Sequence, residues 1–104
     1  MHPHIQLVSA GTRGGEPTLR FVTLDEWLDA VGAATVELDE RIWDPEVEID
    51  HELAAVWVKY EFAAGGRFSH CGVDAFQLFR SPVGWRIFHV ADTQRRENCW
   101  HKPT

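Results

Sequence analysis

Polar and apolar positions along the chain change period twice, and the changes divide it into elements. Ile5 to Ser9 is a short strand-like run, and Thr18 to Val22 is another. Thr23-Leu-Asp-Glu26 then has the form of a capping box, in which the Thr23 hydroxyl accepts from a helix-start amide and Glu26 reaches back. Leu24, Trp27, Leu28 and Val31 follow at helical spacing, which predicts one apolar stripe to be buried against a sheet, with Gly32 as a left-handed stop.

From Thr35 the period becomes two. Val36, Leu38 and Ile42 alternate with Glu37, Asp39 and Arg41, and Val47 and Ile49 resume after Trp43-Asp44-Pro45, which predicts one long bent strand. Asp50-His51 supplies a turn, and Leu53 to Phe62 forms the next strand. A hairpin at Ala63-Ala64-Gly65-Gly66 leads to a strand over Phe68–Arg80, and Ser81-Pro82-Val83-Gly84 leads to a last one over Trp85–Ala91. The order is that of an α+β domain, with short N-terminal strands, one helix and a curved antiparallel sheet of four long strands. A 12-residue strand spans roughly 40 Å and an 11-residue helix roughly 16 Å, so one helix cannot cover such a sheet.

Pairing Phe62 with Phe68 across the hairpin sets Tyr60 opposite His70, Val58 opposite Gly72 and Val56 opposite Asp74. Pairing Phe79 with Trp85 across the next turn adds Phe76, Phe88, Val90 and Asp92 to the same face. Asp74 and His70 are thus planted on a largely apolar surface. An unpaired carboxylate there costs several kcal/mol, so Asp74 is expected to find a partner or keep its proton. The opposite face mixes Trp57, Lys59, Glu61, Ser69, Cys71, Gln77, Trp85, Ile87 and His89, a composition suited to a subunit interface.

With 104 residues, the chain has room for a single domain over 1–104, with a mobile glycine-rich loop at 10–17 and a polar tail at 97–104. The loop lacks the Lys-Ser/Thr of a phosphate-binding loop. Ten basic against sixteen acidic residues give a net charge of −6, which disfavours nucleic acid and anionic membranes as partners. No membrane span or signal peptide is evident, and Cys71 and Cys99 lack metal or redox spacing; they read as reduced thiols in a cytoplasmic protein. His2, His4, His51, His70, His89 and His101 show no ligand spacing, so no metal or other cofactor is implied.

Three pieces of the chain, LAAVWVKYEF, FSHCGVDAFQLFR and GWRIFHVADTQRR, resemble the nuclear-transport-factor-two-like (NTF2-like) superfamily, the cone-shaped α+β fold of ketosteroid isomerase, scytalone dehydratase and the SnoaL-like cyclases. The resemblance covers Thr35 to Arg96. It implies that Asp74 matches the oxyanion-hole aspartic acid of ketosteroid isomerase, kept protonated by apolar surroundings, and that His70 and Tyr60 line the same cavity. The two N-terminal helices usual in that superfamily, and the base and tyrosine they carry, have no counterpart here, so steroid isomerisation is not implied. The resemblance instead implies a small-molecule-binding cone with Asp74 and His70 as catalytic donor and base. Tyr60, Val56, Val58, Phe76, Phe88, Val90 and Asp92 would contact a small apolar, carbonyl-containing ligand in isomerase- or dehydratase-like chemistry. The competing expectation is a non-catalytic interaction module. Either way the shortened cone favours a homo-oligomer, a dimer or larger.

Overall fold

A computed structural model describes residues 1–100. It contains β1 (Gln6–Arg13), β2 (Glu16–Val22), α1 (Leu24–Gly32), β3 (Leu38–Asp50), β4 (Leu53–Ala64), β5 (Arg67–Ser81) and β6 (Gly84–Thr93). The strands form one sheet in the order β2-β1-β6-β5-β4-β3, antiparallel throughout except where β1 lies parallel to β6. The α+β class and the four long antiparallel strands are as the alternation predicts.

The N-terminal part differs. Residues 10–17, expected as a loop, are mostly ladder: β1 and β2 pair from Leu7–Val22 to Arg13–Glu16. Gly14 and Gly15 both take positive φ, 59° and 82°, which is what a two-residue hairpin turn needs. The glycine cluster therefore marks a tight turn rather than a long loop.

Helix α1 starts as its capping signal predicts, with the Glu26 amide donating to the Thr23 hydroxyl at 3.1 Å. It ends differently: Gly32 is its last residue, and Ala33 caps it in a right-handed conformation. The apolar stripe is not buried against the sheet. No residue of α1 is buried, and Leu28 remains 51% exposed. Nine residues make a helix about 14 Å long, too short to lie across six strands.

Register decides which side chains share a face. The β4–β5 hairpin turns at Gly65-Gly66, so Ala64 pairs with Arg67, and Ser69 is bulged out before Phe62 pairs with His70. Each feature moves the pairing by one residue from the Phe62–Phe68 expectation. Two such steps sum to an even shift, so the faces survive while the partners change: Tyr60 meets Gly72, Val58 meets Asp74, and Val56 meets Phe76. In β6 the extra residue is Phe88, between the pairs Gln77–His89 and Leu78–Ile87. Here the shift is odd, so Phe79 pairs with Arg86 rather than Trp85, and Trp85 and Ile87 fall on the face of Arg80 and Leu78.

One apolar row crosses all six strands on the face that holds Asp74. Val22, Leu7, Val90, Phe76, Val56 and Val47 are successive partners in it. The bend expected at Trp43-Asp44-Pro45 is present as a register shift between Trp43 and Glu46, with Asp44 at φ 53°.

The cysteines overturn an expectation. Cys71 and Cys99 form a disulfide, with Cα atoms 5.9 Å apart, and are not free thiols. After β6 the chain turns back along β5: Arg95 and Cys71 exchange both backbone hydrogen bonds, at 2.8 and 2.9 Å, which delivers Cys99 to Cys71. Sequence spacing carries no trace of that return, and the argument for a reducing compartment falls with it. Trp100 then sits between Lys59 and Arg95, whose charged ends lie 5.0 and 4.6 Å from its ring centre. The tail is thereby fastened over Cys71, which is buried, on the face expected to serve as an interface. Residues 101–104 of the expected tail, including His101, lie outside the described residues. No helix among the described residues is long and apolar enough to cross a membrane.

Candidate functional site

Asp74 is 6% exposed, the one Asp, Glu, Lys, Arg or His that is buried among the described residues. Its strand partners are Val58 on β4 and Asp92 on β6, so two carboxyl groups meet side by side on one face. Beside them is a hollow of about 250 Å³. Leu7, Val22, Trp27, Phe76 and Val90 supply apolar wall, while Asp74, Asp92, Glu40, Ser9 and Gln94 supply its polar groups. Met1 and Val8 complete the lining. The N-terminal hairpin and α1 therefore close a side of the hollow, through Leu7, Val22 and Trp27, that the later strands leave open.

Glu40 is the member sequence reading missed. It lies on β3 opposite Phe62, two strands away from Asp74, and lines the same hollow, close enough for its carboxyl to act on that of Asp74. Burial raises the Asp74 pKa from 3.8 to about 8, with the Glu40 hydrogen bond, the Glu40 charge and the Asp92 charge adding to the effect. At neutral pH Asp74 is thus a neutral acid. The only available signal for Glu40 was parity: with Asp74 and Ile42 on one face, Glu40 has to share it.

Asp92 shows the complementary feature. Gln94 donates to its Oδ2 at 3.3 Å, whereas its Oδ1 is buried without a hydrogen-bond partner. An acceptor in that condition costs about 1–3 kcal/mol relative to a satisfied one.

Tyr60 and His70 share the face but do not line the hollow. Tyr60, 2% exposed, donates its hydroxyl hydrogen to the Thr93 carbonyl at 2.6 Å. Burial first, then the charges of Asp92, Asp74 and Glu40, push its pKa far above the usual phenol value. That contact depends on Gly72: a Cβ at this position would collide with the Thr93 carbonyl, and the Thr93 hydroxyl also accepts from the Val73 amide at 3.0 Å. His70 stacks on Phe62, with centroids 5.0 Å apart, and lies edge-on to Tyr60 at 5.7 Å. Its Nδ1 is 3.0 Å from the Ser69 hydroxyl. Burial lowers its pKa, Arg96 adds to this, and Asp92 and Glu40 oppose it.

Of the other residues expected around a ligand, Phe76, Val90 and Asp92 line the hollow with Asp74. Val56 and Val58 lie on the same face, Val58 buried at 2% as the neighbour of Asp74, but neither borders the space. Phe88 goes elsewhere. The β6 bulge sends it to a wider depression of about 660 Å³ with Leu53, Phe79, His2, His4 and His51. That depression is larger, yet its charged walls are solvated: the Asp50 and His51 side chains are 90% and 83% exposed. Among the described residues no group of three His, Cys, Asp or Glu is placed to hold a metal ion.

The six-stranded sheet and its one helix define a class of protein. The chain has the NTF2-like fold. It superposes on an NTF2-like protein from Cytophaga hutchinsonii with a TM-score of 0.69 at 15% identity, over 91% of this chain and 76% of that one. It is similar, at 0.60 and 18% identity, to a Streptomyces avermitilis protein of the NTF2-like family provisionally described as a dehydratase, over 86% and 67% of the two chains. A third NTF2-like protein, from Shewanella baltica and of unknown function, matches at 0.61 and 11% identity over 92% and 73%. No family model and no curated protein matches the sequence.

Proposed function

We propose that the protein binds a small, mostly apolar molecule in the hollow beside Asp74, with the Asp74 carboxyl as hydrogen-bond donor to a carbonyl oxygen of that molecule. The observation that carries this reading is a 6% exposed acid, held protonated up to about pH 8, facing space walled by Leu7, Trp27, Phe76 and Val90. A volume of about 250 Å³ suits a compact ligand of one or two rings.

If the bound molecule reacts, the chemistry is a proton shift of the isomerase or dehydratase kind. Asp74 donates to the carbonyl oxygen while a carboxylate removes a proton from the adjacent carbon, giving an enol. The base falls to Asp92, which lines the hollow, rather than to His70, which is stacked on Phe62. Carbon-detected NMR titration of the side-chain carboxyls tests the donor. Asp74 is expected to titrate near 8, and titration near the ordinary value of about 4 would remove the role.

A homo-oligomer is the second reading that an observation favours. Trp27, Leu28 and Val31 on α1, and Ile42, Val47 and Ile49 on β3, are all more than 40% exposed. Apolar surface of that extent fits burial against another copy of the chain.

A further inference from the structure

We infer that the Cys71–Cys99 disulfide is a redox latch on the Asp74 hollow. Closed, it keeps Gln94 in the wall of the hollow; opened by a small dithiol, it lets Gln94 leave and the bound molecule is held less tightly. The inference rests on the reading of that hollow as a ligand site, and it adds the regulation of that site.

The end of the chain is held unevenly. Thr93 is secured without the disulfide: its carbonyl accepts from Tyr60 at 2.6 Å, its hydroxyl accepts from the Val73 amide at 3.0 Å, and only the missing Cβ of Gly72 lets it lie so close to β5. Beyond it, none of residues 94–100 is buried. That segment is fastened to the strands by two Arg95–Cys71 backbone hydrogen bonds, by the Lys59 contact with Trp100 and by the Cys71–Cys99 bond. Hydrogen bonds and cation–π contacts at such solvated positions open readily, so the covalent bond is what keeps the segment in place. The hinge therefore falls between Thr93 and Gln94. Gln94, the first residue beyond it, lines the hollow and donates to Oδ2 of Asp92 at 3.3 Å. Its neighbour Arg95 is the residue paired with Cys71, three positions from Asp74 on β5.

The bond is open to exchange from one side. Cys71 is 1% exposed, whereas Cys99 is only partly buried. A thiolate of the dithiol attacks the Cys99 sulfur; the S–S bond breaks, a mixed disulfide forms, and the Cys71 sulfur leaves as a thiolate that takes up a proton. The second thiol of the reductant then displaces Cys99, so two electrons and two protons pass to the protein and the dithiol becomes a cyclic disulfide. With Cys99 released, Arg95 separates from Cys71 and Gln94 turns out of the wall, while Thr93 and β6 stay in place. Binding and latch are reciprocal: a ligand favours the closed form by the factor by which the closed form favours the ligand.

The test uses 1-tetralone, a compact bicyclic ketone, titrated into the full chain with and without excess dithiothreitol. Binding is followed by the NMR shift of the Trp27 indole, and the wall by the side-chain amide of Gln94. Reduction is expected to weaken the ketone at least about fivefold, the lower end of ordinary coupling between sites, and to move the Gln94 amide to the position of a free glutamine. Cys99→Ser is expected to match the reduced chain with no reductant present. Saturating ketone is expected to raise, by the same factor, the ratio of reduced to oxidised dithiothreitol that opens half the bonds; a bond that serves only the fold leaves affinity and ratio unchanged. Gln94→Ala, which keeps the disulfide, is expected to weaken the ketone and cancel its redox dependence. Equal affinity in the two redox forms overturns the inference while the ligand reading stands. If the ketone binds neither form at millimolar concentration, both fall. A reduced chain whose amide spectrum collapses makes the bond a condition of the fold, and the latch is then overturned as well.

Discussion

At Asp74 a carboxyl group lies between a valine, two other acids and an apolar hollow, and its protonation links the site to stability. Its folded pKa of about 8 exceeds the unfolded value of 3.8, so between these pH values the folded chain holds a proton that the unfolded chain has released. Stability from this group is therefore fully present below the lower value and lost as pH rises through the higher one, at up to about 1.4 kcal/mol per pH unit. His70 acts in the opposite sense: its lowered pKa removes stability as pH falls through 6.5. The difference between wild type and Asp74→Asn isolates the first group, because His70 is common to both. In urea unfolding the variant is expected to gain on wild type steadily from about pH 4 to pH 8. Parallel curves would mean that Asp74 titrates alike in both states.

Asp74 and its apolar neighbours on β5 were legible from alternation alone, because a period of two depends only on the chain being extended. Glu40 and the orphaned oxygen of Asp92 were not. Their roles arise where residues of β3 and β6 border one hollow, a relation that pairing rules along one hairpin do not contain.

Among the elements, the end of β6 and the segment after it change the picture most. Thr93 accepts from Tyr60, Arg95 pairs with Cys71, Cys99 is bonded to Cys71, and Trp100 is held between Lys59 and Arg95. Each contact fastens the tail to β4 or β5 within a few residues of the carboxyl cluster. Closing 28 residues into a loop is worth about 3.6 kcal/mol by the chain-entropy account. Cys99→Ser, or wild type under dithiothreitol, is expected to lower the urea midpoint accordingly and to increase solvent exchange of the Arg95 amide. Equal midpoints for oxidised and reduced chain would show that the hydrogen bonds hold the tail without the disulfide.

The elements also show where register was readable. In β5 the turn and the Ser69 bulge each displaced the pairing by one, and the two displacements left His70, Asp74 and Phe76 on the expected face. In β6 the turn alone displaced Trp85 and Ile87 by one and so changed their side, and the Phe88 bulge added a second step that returned Val90 and Asp92 to the expected face. Both bulges carry ordinary strand-forming residues, and nothing in the local composition announces them.

For the whole molecule, the unburied stripe of α1 is the main unsettled term. Trp27 is 41% exposed and Val31 42%, although the helix is well capped and amphipathic. A second copy covering α1 and the outer part of β3 would bury this surface and deepen the hollow that Trp27 borders. Sedimentation velocity at micromolar concentration is expected to give at least twice the mass of 11.9 kDa, and Leu28→Glu with Val31→Glu to shift the protein toward monomer. A monomeric wild type would leave the stripe without this explanation.

What the sequence determined by itself was the set of elements, the α+β class and the face on which Asp74 lies, since periodicity, capping and turn chemistry are properties of neighbouring residues. Tertiary structure decided the rest: the joining of β1 to β6, the return of the tail to Cys71, and the meeting of Glu40, Asp74 and Asp92 around one hollow. Those depend on contacts between residues far apart in the chain, which no local pattern encodes.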